Sequence, residues 1–292
     1  MLGAGASVHA NYPLGGQLVN QICQLRGSAE LDDLPEGWTR TEAEDFCTRL
    51  SRSGHYSIDA FLGSDVEHAA LGKYLLARVL KAREVTDRLF PPHSSGWYQQ
   101  LLNALVGPDR HRPFSGSRLG VITFNYDRSL EAYLFEVLQN RFRMAADVAA
   151  AALQEVPVVH VHGILGEFPS VPYSQRCDAT ELMHISTCIK VIHELDDEPD
   201  GFCNPQFEQA NRMLESAERI WFLGFGYHEE NLRRLRYFSP ETCSGKQIAG
   251  TSSGINGAAW QTLDARLLAM GIRVAKSGHD CSAFLSDVVQ LT

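Results

Sequence analysis

A short glycine-rich segment near the start of the chain, Leu2-Gly3-Ala4-Gly5-Ala6-Ser7, has the composition of a phosphate-binding turn. Small residues let the backbone approach a pyrophosphate closely, and the N–H groups that open the next helix face its negative charge. The third glycine of the dinucleotide-binding fingerprint is missing, because that position holds Val8. We therefore predict a phosphate site, with a turn that binds nothing as the alternative. Its residues are Gly3, Ala4, Gly5, Ala6 and Ser7.

Small, polar or titratable residues also follow four later runs of apolar residues that we interpret as strands. Ligands of parallel α/β sheets bind outside the carboxyl ends of the strands, where such side chains converge. One strand end of this kind carries little weight, but five in one chain indicate a site. Apart from the first turn, the candidates are Asn125, Asp127, His162, Gly163, Gly224, Gly226, Gly250, Thr251 and Ser252.

Two of these side chains are suited to catalysis. The amide of Asn125 can orient a water molecule or a sugar hydroxyl, and the imidazole of His162 can accept a proton near neutral pH. His160 points to the same side of an ideal strand, so either histidine is a candidate base. We prefer His162, which ends the strand before a glycine, and expect His160 to be a hydrogen-bonded core residue. Asp127 is equally suited to cap the helix predicted from Arg128.

The elements that position these residues follow from the pattern after residue 118. Short apolar runs alternate with amphipathic stretches, which predicts an α/β fold with a parallel sheet covered by helices on both faces. The predicted strands are 119–124, 156–161, 189–192, 220–223, 247–249 and 272–275. The predicted helices are 129–138, 144–153, 205–217, one from 229, 258–270 and 281–289.

The first third of the chain has a different pattern. A loop at 8–16 leads into a predicted helix at 17–26, and only Met1 and Leu2 precede the glycine turn, so we expect the first strand to be cut short. Residues 27–114 show helical spacing without strand signals. We therefore predict a Rossmann-like domain of residues 1–26 and 115–292 with a helical insertion, 27–114, after the first βα unit.

Composition excludes several classes of protein. The chain has 292 residues, 44% of them hydrophobic, which is enough for a full core. The net charge of −9 and the absence of a long basic run disfavour nucleic acid as a direct ligand. We predict no membrane helix and no secretory leader. Seven scattered cysteines without a CxxC pair are typical of reduced thiols and predict a cytoplasmic protein.

Taken together, the motifs resemble the sirtuin superfamily, and more closely the sirtuin-like domains of bacterial anti-phage defence systems. They are GAGAS (3–7), TFNYD (123–127), VHG (161–163), GFG (224–226) and GTS (250–252). Residues 57–62 (SIDAFL) and 224–232, which include Glu230 and Asn231, are similar to the same branch. The resemblance spans essentially the whole chain and implies a Rossmann-like domain that binds NAD and cleaves its nicotinamide–ribose bond.

The resemblance also implies roles for individual residues. Asn125 and His162 would be catalytic, and Asp127 would hold the nicotinamide carboxamide. The phosphates would lie on the first glycine turn and on Gly224 and Gly226. The remaining contacts to the dinucleotide would come from Gly163, Asn231, Thr251 and Ser252.

Sirtuin deacylases carry a zinc module of two CxxC pairs, and this chain departs from that pattern. It has Cys177, Cys188, Cys203, His184 and His193 in the corresponding region, without a pair at ligand spacing. We therefore expect no metal, and we favour NAD hydrolysis over protein deacylation.

These observations leave two main hypotheses. The first is an NAD hydrolase that depletes NAD as an anti-phage effector and stays inactive until a partner or an infection signal arrives. The second is a sensor that binds NAD or ADP-ribose without cleaving it; a protein deacylase or ADP-ribosyl transferase is a weaker third. Exposed apolar positions on the helical insertion predict a homo-oligomer. The resemblance implies a separately encoded partner, such as a HerA-type ATPase or an Argonaute.

Overall fold

A computed structural model describes residues 1–55, 57–91, 96–191, 204–235, 237–270, 272, 275–277 and 280–287. The chain is a mixed α/β protein in which helices outnumber short parallel strands. The strands are β1 Val121–Thr123, β2 Val158–His160, β3 Arg219–Phe222, β4 Gln247–Thr251 and β5 Ala275–Ser277.

Thirteen α-helices lie in the described part of the chain. They are α1 Gly15–Gln24, α2 Arg40–Arg52, α3 Ile58–Ser64, α4 Ala69–Lys81, α5 Trp97–Leu105, α6 Ser129–Arg141, α7 Ala146–Leu153, α8 Ala179–Thr187, α9 Pro205–Ser216, α10 Glu229–Arg234, α11 Pro240–Cys243, α12 Gly257–Ala269 and α13 Cys281–Asp287. Short 3₁₀ helices span Ala4–Ala10, Ala29–Leu31, Val66–His68 and Thr86–Leu89.

The strands form two small parallel sheets, one of β1 and β2 and one in the order β3-β4-β5. Leu2 forms isolated parallel bridges to Thr123 on one side and to Leu223 on the other. Its N–H donates to Ile122 O at 2.8 Å, and the N–H of Gly3 donates to Leu223 O at 3.1 Å. The backbone at Leu2 therefore lies between the two sheets and pairs with both.

The strands lie near their predicted places but differ in extent. β1 and β2 are shorter than the predicted runs, β4 extends to Thr251, and β5 is Ala275–Ser277 rather than 272–275, of which 273 and 274 lie outside the described residues. An apolar run indicates that its residues are buried, whereas a strand also needs a hydrogen-bonded neighbouring strand. The ends of an apolar run therefore need not coincide with the ends of a strand.

Two local predictions are wrong. In the segment predicted as a strand at 189–192, Ile189 makes only an isolated antiparallel bridge to Gly163, while Ile192 lies outside the described residues. The predicted loop at 8–16 is instead a 3₁₀ helix to Ala10, a short connection and the start of α1 at Gly15. The Gln17 side chain accepts a hydrogen bond from Leu14 N at 2.9 Å, which closes the first turn of α1 earlier than predicted.

The helical segment from α2 to α5 follows its predicted spacing. Ala43, Phe46, Cys47 and Leu50 all point into the core from α2. The N–H of Thr39 donates to the Glu42 carboxylate at 2.7 Å, a reciprocal cap that fixes the start of this helix. One hydrophobic core contains residues of both predicted units, including Phe46, Leu75, Leu134 and Ile185. The division at residues 27–114 stays a prediction.

A fully buried ion pair connects the turn after α4 to the residue that precedes α6. The guanidinium of Arg128 donates to Glu84 Oε1 at 2.6 and 3.0 Å, and both side chains are completely buried. Arg128 also donates to the carbonyl of Val171 at 2.6 Å, and Lys81 contacts the other carboxylate oxygen of Glu84. Since Arg128 directly follows Asp127, this pair anchors the start of α6 beside the candidate site.

We expect Glu84→Gln to lower the free energy of unfolding by about 3–5 kcal/mol, because it leaves the Arg128 guanidinium buried without a counter-charge. The exposed pair of Arg112 and Glu155, joined at 2.9 Å, offers a matched control. Arg112→Gln should cost at most about 1 kcal/mol. Urea denaturation of the variants measures both values, and equal losses would contradict the prediction.

Candidate functional site

Asn125 follows β1 and ties it to the glycine turn. Its side-chain Nδ2 donates to Gly3 O at 2.9 Å and to Ser7 Oγ at 3.1 Å. The side chain is buried, with 9% of the residue surface exposed. Both amide hydrogens are therefore committed to the protein, and a contact to a ligand would pass through the amide oxygen.

Asp127 belongs to the same hydrogen-bonded group and lies one residue before Arg128, the N-cap of α6, where its carboxylate accepts from the first N–H of the helix. Its Oδ1 accepts from Ser129 N at 3.1 Å and from the Ser129 hydroxyl, which in turn contacts Tyr98 OH at 2.6 Å. Burial raises the pKa of Asp127, although hydrogen bonds from Ser129 and Ser7 oppose the rise. The geometry thus satisfies the capping role that the sequence left open beside the nicotinamide role.

The two glycine turns pack directly against each other. The N–H of Gly5 donates to Gly224 O at 2.9 Å, and a Cβ on Gly224, whose φ is +57°, would lie 2.0 Å from Ala6 N. Gly224 N donates in turn to Thr251 Oγ1 at 2.8 Å. These glycines are needed for the approach of one backbone to the other, and the structure brings Gly5, Ala6, Gly224 and Thr251 together.

His162 lies after β2 in a largely apolar surround. Its ring meets the rings of Phe124 and Phe207 edge-on, with centroids 5.5 and 5.8 Å away. Nε2 contacts Asn231 Oδ1 at 3.3 Å, and since an amide oxygen only accepts, Nε2 carries the proton. Nδ1 is buried and has no hydrogen-bond partner among the described residues. The neutral ring therefore presents an unused lone pair.

The charges around His162 oppose one another. Burial lowers the pKa of His162, the carboxylate of Asp59 acts to raise it, and the guanidinium of Arg234 acts to lower it. The net shift is downward, which keeps the ring neutral at neutral pH. A neutral buried imidazole with a free acceptor nitrogen is the form that a general base requires.

His160 has both ring nitrogens engaged. Nδ1 lies 3.0 Å from Asn125 O and Nε2 lies 2.6 Å from Glu131 Oε1, so both nitrogens face acceptors. Burial lowers the pKa of His160, but the Glu131 carboxylate and the Asn125 carbonyl outweigh burial and raise it overall. His160 is the hydrogen-bonded core residue that the sequence predicts, and it holds Asn125 in place.

The other candidates differ in what they contact. Gly163 adopts a φ of +79°, and a Cβ there would lie 2.1 Å from Cys188 O, so this glycine serves the turn after His162. A Cβ on Gly226 would approach the His228 ring at 3.0 Å. Ser252 is buried beside Thr251.

The candidates thus form two groups at one edge of the strands. The first joins the amino-terminal turn, the Asn125–Asp127 segment, Gly224 and Thr251; the second joins His162 to Asn231. Phe124 connects them, because it precedes Asn125 and contacts the ring of His162. The three functional side chains are buried, because Asn125, Asp127 and His162 are only 6–9% exposed, whereas Ala4 is exposed and Asn231 is partly exposed.

Sequence reasoning missed several residues that hold this site. Glu131, Ser129 and Tyr98 complete the buried hydrogen bonds, and their apolar surroundings give no sequence signal of that role. Tyr126 donates from its hydroxyl to Asp59 Oδ1 at 2.6 Å. Tyr126 belongs to the TFNYD motif and Asp59 to the SIDAFL motif. The resemblance carried by these two motifs was the sequence signal that could have pointed to them.

A large cavity lies away from the candidate site. A cavity of about 750 Å³ lies at the opposite edge, lined by Gly120, Pro157 and Trp221 among others. Within the described residues, no three His, Cys, Asp or Glu side chains are placed to hold a metal ion. Cys203 and His193 lie outside that part of the chain. No described helix has both the length and the apolar character needed to cross a bilayer.

The fold and its buried polar groups define a mixed α/β protein with a candidate site at the edge where its parallel strands end. Comparison of the chain with protein-family models, with curated proteins and with solved structures finds no match. Membership of the sirtuin superfamily therefore stays a prediction that depends on the motifs.

We expect Gly224→Ala to destabilise the protein far more than Gly245→Ala. Both glycines have positive φ, +57° and +76°, but a Cβ on Gly245 meets nothing within 4 Å. The control therefore isolates the backbone strain, about 1–2 kcal/mol, while Gly224→Ala adds a steric clash with the amino-terminal turn. Thermal unfolding of both variants tests this, and equal losses would mean that the turns are not packed together.

The ion pair of His160 and Glu131 predicts a pH-dependent stability. Because the folded pKa of His160 is raised, its contribution is fully present below the unfolded pKa and is lost as the pH rises through the folded pKa. Glu131→Gln should therefore cost about 1–2 kcal/mol more at pH 5.5 than at pH 9. Glu136→Gln, on the same helix, is the control, and its cost should not change with pH. A pH-independent cost of Glu131→Gln would refute the pair.

Proposed function

We propose that this protein is an NAD⁺ hydrolase that cleaves the nicotinamide–ribose bond and releases nicotinamide and ADP-ribose. The observation that carries the proposal is the state of His162. Its Nε2 is bound to Asn231, and its Nδ1 is buried, unprotonated and without a partner among the described residues. A lone pair held next to the segment that holds Asn125 suits a general base.

The order of the strands supports a dinucleotide-binding sheet. Across the molecule the order is β2, β1, Leu2, β3, β4 and β5, with parallel pairing throughout. When Leu2 counts as the first strand in chain order, this sequence reads 3-2-1-4-5-6, which is the classical order of dinucleotide-binding domains. It favours a Rossmann-like sheet whose first strand is represented by a single paired residue. In such folds the ligand lies at the carboxyl edge, where the candidate residues are.

The chemistry needs few groups. Cleavage passes through an oxocarbenium-like state, as in glycoside hydrolysis, and nicotinamide departs as a neutral pyridine without an acid. The C1′–N bond breaks with its electrons going to the ring nitrogen, the water oxygen bonds to C1′, and the water proton goes to Nδ1 of His162. The amide oxygen of Asn125 would orient the water or a ribose hydroxyl. Atoms and charge balance when His162 later releases the proton to solvent.

The closed site supports an effector that needs activation. Since Asn125, Asp127, His162 and Thr251 are 3–9% exposed, a dinucleotide reaches them only after the covering groups move. This is consistent with a cytoplasmic anti-phage effector that stays inactive until a partner or a second copy opens it. A separately encoded HerA-type ATPase or Argonaute remains a proposed partner, and no metal is needed for the proposed step.

One observation favours the second candidate, a sensor that binds NAD or ADP-ribose without turnover. The Asn125 amide hydrogens and the Asp127 carboxylate are already satisfied within the protein, and the two glycine turns contact each other. Side chains that are already satisfied in this way favour a site that binds in one fixed conformation over a site that catalyses a reaction. A protein deacylase or an ADP-ribosyl transferase is less favoured, for want of the paired cysteines of a zinc module.

The test measures nicotinamide release from NAD⁺ by the wild type, alone and with candidate partners. His162→Ala and Asn125→Ala should each lower turnover by about 10²–10⁴-fold. His184→Ala, at an exposed position of α8, is the control and should retain full activity. Turnover by the two site variants at the wild-type rate would show that the site is wrong. Calorimetry that finds tight NAD binding without nicotinamide release would instead support the sensor.

A further inference from the structure

The cavity at the opposite edge of the strands is a slot between β1 and β3. Met1 and Leu2 occupy its inner end, where Leu2 forms parallel bridges to Thr123 on one side and to Leu223 on the other. A backbone that pairs on both sides requires walls two strand spacings apart, which is about 9–10 Å. Beside Met1 the slot widens into the cavity of about 750 Å³. It therefore has the width of one extended chain.

Both walls of the slot point backbone N–H groups into it. A strand residue directs its N–H and its C=O toward the same neighbouring strand. Ile122 O accepts from Leu2 N at 2.8 Å, and Trp221 O accepts from the Met1 nitrogen at 2.5 Å. The N–H groups of Ile122 and Trp221 therefore point into the slot from opposite sides. Because backbone N–H groups need an acceptor, this geometry favours an occupant with carbonyl oxygens at strand spacing.

The side chains that cover the slot are apolar on both faces. Leu101 and Leu285 line it from one hydrophobic cluster, and Leu214 lines it from the other. The clusters lie on opposite faces of β1, because the consecutive residues Val121 and Ile122 belong to one cluster each. Strands that are buried on both faces are continuous apolar runs. The slot therefore suits an uninterrupted apolar segment.

The outer end of the slot is open to solvent and sets the length of the occupant. Gly120 and Glu218 line that end and are exposed, so a segment of another chain can enter there. Along β3 the lining runs from Glu218 to Trp221, which matches a strand of about four residues. A fatty acid could fill the volume, but it would leave the N–H groups of both walls without an acceptor.

We propose that the slot binds an apolar β-strand of a separate partner protein, parallel to β1 and β3 and in line with Leu2. In this mode of recognition the main-chain hydrogen bonds give affinity, and pockets for alternate side chains give specificity. The added strand joins the two small sheets into one. This binding goes beyond the proposed function and does not depend on NAD cleavage. Since the glycine turn directly follows Leu2, the partner reaches the candidate site through the backbone.

The test uses the full chain and a synthetic peptide, acetyl-Lys-Lys-Val-Val-Ile-Val-Val-amide, whose lysines keep it in solution. We expect calorimetry to show saturable binding of one peptide per chain. A copy that is N-methylated at every second residue of the apolar run cannot donate to one of the walls. It should bind at least about 10-fold more weakly.

Two further measurements locate the bound peptide. The peptide should slow amide hydrogen exchange at Ile122 and Trp221 by at least about 10-fold, while Phe222, which pairs with β4, should change little. Ala104→Trp, at an exposed position of α5 that lines the cavity, should weaken binding by at least about 10-fold. Ala151→Trp, at an exposed position of α7 outside the lining, is the matched control and should bind normally.

Several outcomes would overturn the proposal. They are no saturable binding up to about 1 mM peptide, equal binding of the N-methylated copy, and binding that leaves both amides unprotected. Protection of both amides in the protein alone as its concentration rises would assign the slot to a second copy. Protection by the same apolar residues fused before Met1, without binding of the free peptide, would assign it to a covalently attached strand. Displacement of the peptide by dodecanoate with equal protection of both amides would assign it to an apolar small molecule. These measurements need no NAD turnover, so failure of the proposed function is recognised separately.

Discussion

The packing of one backbone turn against another is the constraint on which the rest of this structure depends. Leu2 pairs with both small sheets, and directly after it Gly5 and Ala6 meet Gly224 so closely that no side chain fits between them. This contact sets the distance between β1 and β3, and with it the distance between the strand ends that carry Asn125 and Thr251. Glycine is required at Gly5 and Gly224 for a reason that involves no ligand, and the N–H groups of Gly3, Gly5, Ala6 and Gly224 all donate within the protein.

A second layer of buried polar contacts turns that edge into a defined site. Asn125 is held by the amino-terminal turn and, through its carbonyl, by the His160 ring, whose pKa the Glu131 carboxylate raises. Fully satisfied networks of this kind rigidify a core and single out one arrangement of it. His162 Nδ1 is one of eight buried side-chain polar atoms without a hydrogen-bond partner among the described residues, and burial makes such an atom costly. What distinguishes it from the others is its place beside the segment that holds Asn125.

Much of this arrangement could be predicted from the sequence. There are physical reasons why the rest could not. Alternating apolar runs located all the strands approximately, and helical spacing located α2, α4 and α5. The cap of Asp178 and Glu181 before α8 is a signal that was present and not used. The 189–192 run was mistaken for a strand because Ile189 and Val191 are as buried as strand residues, whereas Ile189 makes only an isolated bridge, to Gly163. Side-chain partners such as Glu84 for Arg128 join residues far apart in the chain, and no local pattern encodes them.

The proposed reaction depends on a balance between closure and access. A dry, apolar surround keeps His162 neutral and would exclude bulk water from a reactive sugar, but it also excludes the dinucleotide. The contacts that close the site come largely from the helical segment before the sheet, through Trp97, Tyr98 and Asp59. Under the proposed function, opening would break hydrogen bonds that hold the Asn125–Asp127 segment, and a partner that stabilises an open form would have to replace them. This coupling would link access to the proposed site with the position of the helical segment.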